Sequence, residues 1–172
     1  MGNEHGHATL KSMALIVPII ASMTFASPAP FEAWAEFSKN PALHQGFESV
    51  QVGTLGSDRG RLHYWLRRTV KDGDKETITW SDSLTCATVR PVLAAMRNLP
   101  APRPAPYGFD QRGDITLDGV GYMLRTPARF GPHSADLTIR SNVNTPLAQW
   151  IETSLTALAP CWSSKVPGRT VR

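Results

Sequence analysis

Residues 61–80 leave this chain few ways to fold. Leu62, Tyr64 and Leu66 alternate with His63, Trp65 and Arg67, the period-two pattern of a strand. Lys71-Asp72-Gly73-Asp74 comes next, and Asp-Gly tolerates the positive dihedrals of a tight turn. Alternation then resumes over residues 75–80, with Thr77 and Thr79 against Ile78 and Trp80. With a strand over residues 47–54 and a turn over 56–60, the middle of the protein begins as an antiparallel meander.

Beyond residue 80 the pattern turns helical. Ser81-Asp82-Ser83 offers caps for a helix over residues 84–98, whose apolar face is Val89, Val92, Leu93 and Met96. Pro91 lies inside that span. It either kinks the helix or marks a fresh start, because it lacks an N–H and crowds the preceding turn. Pro100, Pro102, Pro104 and Pro106 then impose an extended connection with polyproline character. Residues 114–117 and 119–126 read as a second hairpin turning at Asp118-Gly119, residues 127–134 as a loop, and 135–141 as a last strand. Thr145 caps a final helix with Pro146 at its first position and a stripe of Leu147, Trp150, Ile151, Leu155 and Leu158. At the other end, Phe31, Trp34 and Phe37 recur every three residues before Pro41, which predicts a short N-terminal helix.

Hairpins dominate over strand–helix alternation. The expected class is therefore α+β: an antiparallel sheet of five or six strands with two main helices packed on one face. Strand order is not fixed by pattern alone, and a split βαβ arrangement stays open.

The first 26 residues carry a different message. Lys11 precedes an uncharged run over residues 14–26, and small residues stand at Thr24 and Ala26. This is the pattern of a cleaved secretory signal, and the run is short for a hydrocarbon core of ~30 Å. The expected organisation is a signal at 1–26, a single domain at 27–162 and an exposed tail at 163–172, in a periplasmic or extracellular protein with no stable transmembrane segment after cleavage. Export permits disulfides. The chain's two cysteines, Cys86 and Cys161, are expected to form one, since no histidine stands near either in sequence to support a Cys–His catalytic pair.

The chemistry is mostly exclusion. The phosphate-binding glycine loop, the dinucleotide fingerprint, the zinc-protease helix motif and Gly-x-Ser-x-Gly are all missing. His44, His63 and His133 lack ligand-like spacing, and Asp110, Asp114 and Asp118 match a calcium loop poorly. No cofactor or metal is expected. The net charge of +4 comes mainly from 13 arginines spread from Arg59 to Arg172 without a dense run, which predicts no specific nucleic-acid partner.

The best remaining feature is a cationic and aromatic row. Arg61, His63, Trp65 and Arg67 share one strand face, and Arg140 extends the row if the last strand lies nearby. Such a face suits an envelope protein or an anionic ligand. The opposing expectation is that Trp65 packs beneath a helix while the arginines frame it. The functional reading is thus an exported, non-enzymatic binding or cell-envelope accessory protein. The alternative is a small exported hydrolase drawing on Ser81 or Ser83, His63 or His133, and Asp82 or Asp136.

Overall fold

Three two-residue turns set the sheet. The structure, a computed structural model, describes residues 31–42, 46–102 and 119–168. Strand β2 (Phe47–Asp58) turns into β3 (Arg61–Asp72) through Arg59 and Gly60, both at positive φ (48° and 77°) as a I′ turn demands. Strand β3 turns into β4 (Lys75–Asp82) with Gly73 at φ 57°. Strand β5 (Val120–Phe130) turns into β6 (His133–Ser141) with Gly131 at φ 58°. In the last two turns only the first central residue is positive, the requirement of a II′ turn.

With β1 (Ala33–Pro41), these strands form one six-stranded sheet in the order β4-β3-β2-β1-β5-β6, with every neighbour antiparallel. Helices α1 (Val89–Arg97) and α2 (Pro146–Leu158) lie on one face. The class is the α+β arrangement that the hairpin pattern predicts.

The core fills the space between that face and the helices. Ala35 and Phe37 of β1, Val50 and Val52 of β2, Leu66 of β3, and Tyr122 and Leu124 of β5 meet Val89, Val92 and Leu93 of α1 and Leu147, Ile151 and Leu158 of α2. Phe37 packs edge-on to Trp150 at 4.9 Å, and the Trp150 indole N–H reaches the Val92 carbonyl at 3.4 Å. Each fully buried aliphatic or aromatic side chain here contributes about 1.5–3 kcal/mol.

Several expectations need correction. The segment read as an N-terminal helix is β1. Trp34 is the extra residue of a bulge, since Ala33 pairs with Gly53 and Ala35 with Val52. The bulge turns Trp34 toward Tyr64 on the helix side, where Phe37 also points, so two aromatics three apart share a face without a helix.

Helix α1 begins at Val89 rather than at residue 84. Asp82 Oδ1 accepts the Leu84 and Thr85 amides at 2.7 and 2.8 Å, which holds a turn there, and Pro91 marks the fresh start by falling in the first helical turn, where no N–H partner is needed.

The supposed loop at 127–134 is the β5–β6 hairpin. Pro127 is tolerated because the β1 ladder ends at Arg125, leaving β5 with one neighbour at that point. The tail is not wholly exposed. Ser163 exchanges two backbone hydrogen bonds with Trp80, at 2.7 and 2.9 Å, and Pro167 is buried.

Cys86 and Cys161 are joined with a Cα–Cα distance of 5.8 Å, tying the turn before α1 to the 3-10 turn after α2. This bond is consistent with an oxidising, extracytoplasmic environment. Among the described residues no helix is long and apolar enough to cross a membrane. The signal segment, the hairpin arm at 114–117, His44, and Asp110, Asp114 and Asp118 lie outside the described residues.

Candidate interaction face

Side chains alternate across a strand, so the sheet has a second face, opposite the helices. On it one row crosses all six strands: Trp80, Arg67, Gln51, Glu36, Arg125 and Thr138. Arg61, His63 and Trp65 share the face with Arg67 on β3, as the alternation predicts. Their surroundings differ sharply.

Trp65 is only 1% exposed, yet no helix among the described residues covers it. It lies flat across Gly53, its direct cross-strand partner. A Cβ at Gly53 would stand 2.3 Å from the indole, so only glycine permits this approach. Phe31 at 5.3 Å and Trp80 at 5.8 Å close over the ring, and Phe31 also meets Trp80 at 5.6 Å. Trp65 is thus the buried foundation of an aromatic cluster. The sequence pattern identifies its face correctly but expects a helix as its cover.

Arg67 rests on that cluster. Its guanidinium lies 5.9 Å from the Trp80 ring centre and its Nη2 donates to Gln51 Oε1 at 2.6 Å. Its Nε and the Trp65 Nε1 are buried with no acceptor among the described residues. A buried donor without a partner costs about 1–3 kcal/mol. Two such donors stand on neighbouring positions of one face.

His63 is buried and already engaged. Arg90, on α1, brings its guanidinium to 3.3 Å from His63 Nδ1, donates to the Leu62 carbonyl and lies over Tyr64 at 5.7 Å. The sequence carries no signal for Arg90 in this role, because it reaches the strand from a helix 27 positions away. Arg61 is exposed beside the β2–β3 turn, opposite Asp58.

Arg140 does not extend the row. It is exposed on β6, with β2, β1 and β5 between it and β3, about 19 Å at the usual strand spacing. There it borders a separate open concavity of about 530 Å³ with Ser38, Asn40, Phe47, Gly121 and Met123.

The hydrolase candidates fall into two groups, Ser81, Asp82, Ser83 and His63 around β3 and β4, and His133 and Asp136 on β6. Ser81 pairs with Leu66 and faces the helix side, Ser83 Oγ accepts the Tyr64 amide at 2.9 Å, and Asp82 Oδ1 is taken up by the Leu84 and Thr85 amides. His133 and Asp136 belong to β6, at the opposite edge of the sheet from β4. Among the described residues no hydrogen bond joins any of these side chains, and no three His, Cys, Asp or Glu side chains gather as a metal site would require.

One polar cluster lies on the helix side. Lys39 Nζ and the Tyr122 hydroxyl both donate to Glu152 Oε1, each at 2.6 Å. Burial, with the bonded carboxylate and its charge, pushes the Tyr122 phenol up to about 12. Burial also pushes the Glu152 carboxyl up, but the Lys39 and Tyr122 hydrogen bonds and the lysine charge outweigh it and hold that carboxyl below its ordinary value. The cluster pins α2 to β1 and β5.

Comparison of the chain with protein-family models, with curated proteins and with solved structures found no match in any of the three.

Proposed function

We propose that this protein is an exported, non-enzymatic binding protein of the cell envelope or the extracellular space. Its contact surface is the β3–β4 end of the helix-free face, formed by Arg61, Arg67 and Trp80 over the Trp65 foundation. The partner presents a carboxylate or phosphate there, most simply an acidic segment of an envelope protein.

The observation that carries this reading is Arg67. Its guanidinium is held in place by Gln51 and the Trp80 ring, on a side chain that is only half-buried. A fixed, partly desolvated guanidinium binds carboxylates and phosphates well, because its planar donors are already oriented. A tryptophan beside it adds contact area at little entropic cost.

Site-specific photocrosslinking in native envelopes tests this. A crosslinker at exposed Ile78, on the Arg67 face, is expected to capture one defined partner. A crosslinker at exposed Ala95, on α1, is expected to capture none. Arg67→Ala is expected to reduce capture from Ile78 by about tenfold or more, in line with loss of a charge-assisted pair of ~1.5–3 kcal/mol. Equal capture from both positions, or capture indifferent to Arg67→Ala in a folded variant, refutes the proposal.

A further inference from the structure

The two edges of the sheet are treated differently. The β4 edge is occupied at Trp80 by Ser163. Strand β6 ends the sheet on the other side, and among the described residues no segment pairs with its outer edge. Exposed edges invite another strand, and proteins commonly discourage this with charges. The charges on β6 are arranged to permit one particular partner.

Asp136 and Arg140 are both exposed and lie four residues apart on the helix-free face. The residues directly opposite them on β5, Pro127 and Met123, carry no charge, Arg125 stands diagonal to both, and neither residue joins an ion pair among the described residues. Thr138 lies midway between them. We infer that the β6 edge pairs with the β6 edge of a second copy of this chain, antiparallel and centred on Thr138.

Only that register satisfies the charges. With Thr138 facing Thr138, each Asp136 faces Arg140 of the other copy, and each Leu137 faces Ile139. Directly opposed charges of unlike sign stabilise a strand pair, and like charges destabilise it. Centring on Asp136 or on Arg140 sets two like charges face to face. Centring on Leu137 or Ile139 leaves both charges opposite neutral residues. The two-fold axis runs along the sheet normal, so both helix layers lie on the same side and the contact is isologous. Leu137, 39% exposed in the single chain, gains an apolar neighbour. One strand ladder is a small interface, so the dimer is expected to be reversible and concentration-dependent. Its residues are separate from Arg61, Arg67 and Trp80, and it stands or falls independently of the partner proposed above.

The test uses the disulfide-intact chain over a concentration series from low micromolar to submillimolar. Sedimentation is expected to show a monomer–dimer equilibrium. Amide exchange is expected to slow with concentration in residues 133–141 and not in residues 75–82. Asp136→Arg alone and Arg140→Asp alone each oppose like charges at two symmetric sites and are expected to weaken the dimer about tenfold or more. The double variant, Asp136→Arg with Arg140→Asp, restores both pairs and is expected to recover dimerisation. A monomer at the highest concentration, or exchange in 133–141 that ignores concentration, overturns the inference. So does a dimer indifferent to the single variants, or one that the double variant fails to restore while its unfolding midpoint matches the parent. The exchange measurement needs no variant, so a misfolded variant does not protect the inference.

Discussion

Gly53→Ala adds one methyl group to a strand and is expected to be among the most damaging small changes in the sheet. The new Cβ would stand 2.3 Å from Cε2 and Cζ2 of Trp65 and 2.4 Å from its Nε1. Carbon atoms in contact prefer about 3.5–4.0 Å, so the indole must retreat by roughly 1.2 Å or more. It has little room to do so, being 1% exposed and held under Phe31 and Trp80. Overpacking of this kind costs about 1–3 kcal/mol. Loosened contacts between the rings, worth about 0.5–1.5 kcal/mol each, move the expectation to the upper part of that range. We expect a loss of ~2–3 kcal/mol and a fall in Tm of roughly 5–10 °C. Urea unfolding monitored by tryptophan fluorescence and far-UV circular dichroism measures it. Trp65→Leu supplies the second arm of a cycle: with the indole gone, Gly53→Ala is expected to cost less than about 1 kcal/mol. A Gly53→Ala stability within ~0.5 kcal/mol of the parent would refute the packing account, as would an undiminished cost in the Trp65→Leu background.

Two further perturbations act elsewhere in the fold. Replacing Cys86 and Cys161 by alanine opens a loop of 75 positions and is expected to cost about 4 kcal/mol, read as a lowered urea midpoint; a loss under ~1 kcal/mol would deny the bond its constraining role. The Tyr122–Glu152 pair predicts a pH dependence at both ends. The raised phenol contributes stability below the ordinary tyrosine value of 10.0 that is lost as pH climbs to about 12. The depressed Glu152 carboxyl contributes stability above its ordinary value of 4.5 that is lost as pH falls through its folded value. Tyr122→Phe should remove the alkaline slope and Glu152→Gln should flatten the acid one; unfolding curves unchanged by either substitution would contradict the assignment.

The hairpins and the start of α2 are legible because their signals are local. Alternation over residues 61–70, Asp72-Gly73, and Thr145-Pro146 each act within a few residues, and the observed β3, its turn and the start of α2 obey them. Thr145 Oγ1 accepts the Ala148 amide at 3.1 Å, the bond that its position predicts. Strand β1 passes for a helix because a bulge adds one residue to a period-two pattern and imitates a period of three. Helix α1 starts later than its capping residues suggest because the Asp82 carboxylate holds a turn there instead of capping the helix directly. Within the candidate site, the shared face of Arg61, His63, Trp65 and Arg67 is readable from parity. The burial of Trp65 is not, since it depends on Gly53 across the ladder and on Phe31 above it. Arg140 can be given a face but no distance, because sheet order is a long-range property that alternation does not carry.

Strand β1, earliest of the six along the chain, lies inside the sheet, between β2 and β5. Its pairing with β2 is a matter of neighbours, whereas its pairing with β5 joins Glu36 to Arg125 across most of the domain. A chain made from its N terminus can therefore assemble β1 to β4 early. It must then hold one flank of β1 open until synthesis has passed Arg125. During that interval the nascent meander is half a sheet, with Phe37 awaiting both Leu124 and the indole of Trp150. Its exposure to misassociation is set by how quickly the rest of the chain emerges, from the ribosome or from an export channel, and not by the stability of the finished fold.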